Sequence, residues 1–101
     1  VLERRRGPSY TAEVLKMKVK FFWQENCPKC PAAKVVCQEL ESEGINVEYL
    51  DIKSVEGMAE AAFYGVLATP TTIVVDREEN ELASWRGEIP EKEKIWRLKD
   101  S

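Results

Sequence analysis

Val19-Lys20-Phe21-Phe22-Trp23-Gln24-Glu25-Asn26-Cys27-Pro28-Lys29-Cys30 decides the reading of this chain. Two thiols three residues apart can close on each other, so they suit a protein that takes up and hands on pairs of electrons. The apolar run before them predicts a strand and the residues after them predict a helix, which sets Cys27 at the helix N-terminus. Backbone N–H groups left unpaired there stabilise a thiolate.

Upstream, Met17, Val19 and Phe21 alternate with Lys16, Lys18 and Lys20 before Phe22 and Trp23 make both faces apolar, as in a strand entering a core. Gln24-Glu25-Asn26 reads as a loop. The helix is expected from about Pro28 to Glu43, with Ala33, Val36, Cys37 and Leu40 on its inner stripe and Lys34, Gln38, Glu39 and Glu41 outside. Pro28 and Pro31 fit only its first turn. Gly44 followed by Ile45 ends it, and a second strand is expected over Asn46 to Ile52. Ser54 caps a second helix, whose Ala59, Ala62 and Phe63 stripe ends at Gly65. The β-branched run Thr71 to Val75 predicts a third strand, Asp76 to Asn80 a charged turn, and Leu82 to Arg86 an antiparallel return. Gly87 then breaks the chain. Pro90 opens a last helix, with Ile95 and Leu98 inward and Glu93 spaced to pair with Arg97. The expected order is β-α-β-α-β-β-α, without internal repeats.

The chain has 101 residues, the size of one domain with a modest core, and its 44% apolar and 33% charged residues are those of a globular protein. No segment approaches the apolar length of a bilayer span, so a membrane partner is not expected. Charge divides the chain. Residues 1 to 18 carry +3 and the rest −6, out of a total of −3, which sets a basic N-terminal extension over residues 1–15 ahead of a domain over 16–101. The arginines Arg4, Arg5 and Arg6 read as a solvated tail, and the acidic body argues against a nucleic-acid partner. With three cysteines and no histidine, a single chain cannot close a four-ligand Cys/His zinc site. Pro31 stands where a haem-attachment motif needs histidine. The cysteines therefore read as cytosolic redox chemistry, with no metal expected. Cys37 falls on the inner helix stripe and is expected to be a core thiol; Trp23 and Trp85 are expected to be packing residues.

The element order, a CxxC between the first strand and first helix, and Thr69-Pro70 just before the third strand together resemble the thioredoxin superfamily over residues 16–99. Phe22-Trp23-Gln24-Glu25-Asn26-Cys27 is similar to the stretch in which Phe-Trp precedes that family's first active cysteine. Tyr64-Gly65-Val66 with Ala68-Thr69-Pro70-Thr71 resembles its cis-proline segment. Cys27-Pro28-Lys29-Cys30-Pro31-Ala32-Ala33-Lys34 is especially similar to the small glutaredoxin-like thioredoxins of archaea and some thermophilic bacteria. The resemblance implies an α/β fold of three layers, α/β/α, around a central four-stranded mixed sheet.

It further implies a thiol-disulfide oxidoreductase that reduces protein disulfides as a cytoplasmic monomer without a bound cofactor. Cys27 and Cys30 would be catalytic, and Thr69, Pro70, Pro28 and Lys29 would face the substrate, Thr69 through its backbone. Two departures from the family pattern shape the expectation. Phe21 occupies the place of the buried aspartate that thioredoxins use as a proton acceptor, and Gly87-Glu88 stands where glutaredoxins carry a Gly-Gly-x-Asp glutathione turn. The expected reductant is thus a flavoenzyme of the thioredoxin reductase type rather than glutathione. Alternative readings are a dedicated electron donor to ribonucleotide reductase, or a non-catalytic or iron-sulfur-bridging module, the last opposed by the stiffness of Pro28.

Overall fold

Phe21 and Phe22 are consecutive and both fully buried, so the strand that carries them must be covered on its two faces. The structure, a computed structural model, describes residues 17–99; the extension expected over 1–15 lies outside the described residues. Strand β1 (Met17–Trp23) is followed by α1 (Cys30–Ser42), β2 (Asn46–Asp51), α2 (Val55–Tyr64), β3 (Thr71–Asp76), β4 (Glu81–Arg86) and α3 (Lys92–Lys99). This is the expected order. Among the described residues the strands form one mixed sheet in the order β2-β1-β3-β4. β1 runs parallel to β2, with Val19 opposite Val47, and antiparallel to β3, with Phe22 opposite Thr71.

One face of the sheet carries Met17, Val19, Phe21, Val47, Val74 and Trp85, covered by Ala33, Cys37 and Leu40 of α1 and Ile95 of α3. The other carries Phe22, Leu50, Ile73 and Val75, covered by Ala61 of α2. The three-layer α/β/α sandwich expected from the resemblance is the one observed. Trp23 and Trp85 are packing residues, and Trp85 also donates from Nε1 to Glu91 Oε2 at 3.3 Å. Glu93 and Arg97 pair at 3.8 Å as their spacing predicts.

Lys20 departs from the simple alternation. It shares the parity of Phe22, which puts it on the α2 face, and it is only 1% exposed. Its Nζ lies 3.0 Å from Glu48 Oε1, 3.0 Å from Glu60 Oε1 and 3.2 Å from Glu79 Oε1, with the Tyr64 ring centroid 5.9 Å away. Burial acts to lower the pKa of Lys20; the hydrogen bonds to Glu60, Glu48 and Glu79 outweigh it and raise the pKa above the usual lysine value. One ammonium thereby joins β1, β2, α2 and the β3–β4 turn.

The inner face of α2 also differs from expectation. Ser54 caps it, accepting from Gly57 N at 2.9 Å, and Gly65 ends it with φ +68°. The buried positions are Gly57 and Ala61, whereas Ala59, Ala62 and Phe63 face outward and Phe63 is 75% exposed. Close approach decides this. A Cβ on Gly57 would overlap the Asp51 carbonyl oxygen, so the helix packs by its glycine; Ala61 and Tyr64 follow Gly57 at helical spacing, and Ala59, Ala62 and Phe63 fall on the other side. Hydrophobicity alone selects the wrong stripe.

Three measurements follow from this packing. Lys20→Ala leaves three carboxylates without their shared cation and should lower stability by about 3 kcal/mol in urea unfolding. Glu79, whose pKa is lowered chiefly by its hydrogen bond from Lys20, contributes stability above the ordinary carboxylate pKa that is lost as pH falls through its depressed value. Lys20→Ala should therefore flatten the acid limb of the stability profile. Cys37 has no exposure; burial pushes its pKa up to about 12, the Thr72 hydroxyl lowers it only partly, and Glu41 adds to the rise. Brief alkylation of the reduced native protein should leave Cys37 unlabelled while Cys27 reacts, and urea should expose it.

Candidate active site

Pro31 sits in the first turn of α1, where its missing N–H costs no intrahelical bond, and Pro28 lies ahead of the helix. The first helical residue is Cys30, later than the start expected near Pro28. Cys27 lies one turn upstream, its carbonyl accepting from Cys30 N at 3.2 Å. Lys29 is the N-cap residue and gives no side-chain cap, and the first turn holds no acidic residue. The positive end of α1 is therefore left uncompensated beside the cysteines.

Cys27 and Cys30 are joined in a disulfide with Cα atoms 5.3 Å apart. Their exposures are 9% and 7%, so accessibility hardly distinguishes them. Pro28 and Lys29 between them are exposed, and Lys29 pairs with no carboxylate among the described residues. An open pocket of about 450 Å³ adjoins the disulfide, with Phe21, Glu25 and Lys34 in its wall. At the position where the resemblance expects an aspartate, this wall is an aromatic ring.

The sheet brings the second half of the site to the same end. β3 begins opposite the last turns of β1, and the peptide bond just before it, Thr69–Pro70, is cis. Pro70 is buried and Thr69 half-buried. Gly87, with φ +75°, donates its N–H to the Pro70 carbonyl at 2.7 Å, and Thr71 Oγ1 donates to the Ala68 carbonyl at 2.7 Å. Gln24 Nε2 donates to Thr69 Oγ1 at 2.9 Å, linking the loop of Cys27 to the loop of Pro70 across 45 residues of sequence.

All six residues named from sequence, Cys27, Pro28, Lys29, Cys30, Thr69 and Pro70, thus lie at one end of the sheet. Gln24 and Gly87 were legible only as loop and chain break, since a bond between two loops leaves no periodic trace. Among the described residues no group of three or more His, Cys, Asp or Glu is placed to hold a metal ion, and no helix is long and apolar enough to cross a membrane. A thiol pair of this kind exchanges two electrons and two protons with another disulfide.

Comparison with known proteins agrees with the geometry. The thioredoxin domain family model matches residues 16–99. A thioredoxin of Methanocaldococcus jannaschii is 37% identical over 62 residues, spanning 58% of this chain and 71% of the relative. A probable thioredoxin of Archaeoglobus fulgidus is 33% identical over 60 residues, spanning 58% of this chain and 66% of the relative. Among solved structures, a mutant thioredoxin from Halobacterium salinarum NRC-1 superposes with a TM-score of 0.70 at 19% identity, over 94% of this chain and 84% of that one. A thioredoxin from Thermus thermophilus gives 0.61 at 20% identity, over 93% and 81%. These two likenesses concern the fold. With the family match spanning most of its length and a closed CxxC pair in place, this chain belongs to the thioredoxin domain family and is a thiol-disulfide oxidoreductase acting on protein disulfides.

Proposed function

We propose that Cys27 is the attacking thiolate and Cys30 the resolving thiol. The observation that carries this reading is the uncapped, acid-free start of α1 beside the Cys27–Cys30 pair. In the reduced protein the helix terminus favours the thiolate of Cys27, which attacks one sulfur of a target disulfide. A mixed disulfide forms and the other target sulfur leaves as a thiolate. Cys30 then attacks the Cys27 sulfur, releases the second target thiol and closes the Cys27–Cys30 disulfide. Two electrons and two protons have passed to the target. Thr69 receives the target's extended backbone beside Pro70, and Pro28 and Lys29 form the exposed rim around the sulfurs.

The reductant that recharges the pair is a flavoenzyme of the thioredoxin reductase type. Glutathione presents two carboxylates and an amine to be held, and the turn after β4 supports this poorly. Its Gly87 N–H is already given to Pro70, and Glu88 replaces the Gly-Gly-x-Asp pattern of glutaredoxins. Ribonucleotide reductase, which small glutaredoxin-like proteins serve, is a target within this chemistry. The work is done in the cytoplasm by a single chain; the free Cys37 thiol suits a reducing compartment.

Insulin-disulfide turnover by Cys27→Ser should fall below about 1% of wild type, whereas Cys30→Ser should accumulate a mixed disulfide seen in intact mass. Substantial turnover by Cys27→Ser would reverse the roles. Recycling by NADPH with thioredoxin reductase should outpace recycling by NADPH, glutathione and glutathione reductase by about tenfold or more. The opposite ranking would assign the chain to the glutathione system.

A further inference from the structure

Between Gly65 and the buried Pro70 the chain is exposed at Leu67 and Ala68, Leu67 to 98%. The two flanks of this segment are tied to the end of β4 and the residue after it. Arg86 Nη1 donates to the Tyr64 and Gly65 carbonyls at 3.1 and 3.2 Å, and Gly87 N–H holds the Pro70 carbonyl. None of those ties involves the loop that carries Cys27. The Gln24–Thr69 bond does, and both of its side chains are half-buried. The backbone of the Gln24 loop is anchored from the opposite side, where Trp23 O accepts from Ile52 N at 3.0 Å. Gln24 therefore has a fixed base from which to hold Thr69.

We propose that Gln24 is a positioning residue that sets the distance between the Thr69 backbone, which receives the substrate, and the sulfur of Cys27. The inference rests on the proposed roles of Thr69 and Cys27. Attack on a disulfide requires the target sulfur to be delivered in line with Cys27 while the target's own backbone is paired beside Pro70, so an error in the separation of the two loops is paid at docking. Gln24 lines the pocket beside Cys27 and Cys30, and among the described residues its side chain hydrogen-bonds only to Thr69. Its amide acts only through Thr69, and its loss leaves the thiol chemistry intact. A substrate without a peptide backbone does not use the Thr69 contact and does not sense the bond.

The test compares Gln24→Ala with wild type in the full chain. KM for insulin disulfides should rise about threefold to tenfold, the worth of one net hydrogen bond, with kcat near wild type. The rate with hydroxyethyl disulfide, which has no backbone to dock, should be unchanged. Adding Thr69→Val to Gln24→Ala should cost nothing beyond the larger single effect, because both remove the same bond. Backbone hydrogen exchange from Val66 to Thr69 needs no substrate and should quicken by a similar factor in Gln24→Ala. Unchanged exchange overturns the proposal whatever the activity. So does an equal loss on both substrates, or a fully additive double variant. If wild type reduced hydroxyethyl disulfide but not insulin, while exchange still responded to Gln24→Ala, the proposed protein docking at Thr69 would fail and the Gln24 tie would stand.

Discussion

Everything at the active end depends on β1 being held from both sides. Its register against β2 and β3 fixes where Trp23 ends, and so where the Gln24–Asn26 loop sets down Cys27 at the start of α1. The same strand carries the least ordinary feature of the core. A lysine taken out of water is strongly destabilising unless opposite charges meet it, and Lys20 is met by carboxylates from β2, α2 and the β3–β4 turn. Glu79 reaches it from a residue with φ +70°, so that turn conformation is part of the same arrangement.

The chemistry at the other end of the strand is built from few parts. The helix supplies an uncompensated positive terminus and begins at Cys30, leaving Cys27 ahead of it, and the β3 entry supplies a backbone surface. Phe21 makes the pocket wall apolar where relatives of this fold are expected to carry an acid. The charged groups that line the same pocket, Glu25 and Lys34, belong to the loop and to α1, nearer the solvent.

Much of this was legible in the sequence, and the exceptions share a cause. Period-two and period-3.6 patterns found the strands, the inner stripe of α1 and the caps of α2, because those features are local. Lys20 was legible by parity with Phe22, but its partners come from residues 28, 40 and 59 positions away, and charge normally argues for solvent. Ala59, Ala62 and Phe63 lost the inner face of α2 because the close approach to the Asp51 carbonyl admits only Gly57, and helical spacing from Gly57 brings in Ala61 rather than them. α1 starts at Cys30 rather than near Pro28, with Pro31 in its first turn; either proline suits a first turn, so the sequence did not choose between the two starts. Gln24 had no pattern at all, since its partner is set by the fold.

Lys20 has a second consequence, for the chain before it folds. Its strand, Met17-Lys18-Val19-Lys20-Phe21-Phe22-Trp23, is the first described element in the sequence, and its partners β2 and β3 follow only at residues 46 and 71. During synthesis it must wait with its backbone unpaired, and with apolar residues in place of the two lysines it would be a continuous run of seven. Such runs stack on copies of themselves, and charges spaced along them disfavour that by repulsion. Lys18 and Lys20 thus guard the nascent strand against its own kind, and the carboxylates that later surround Lys20 let the protein keep that guard inside its core.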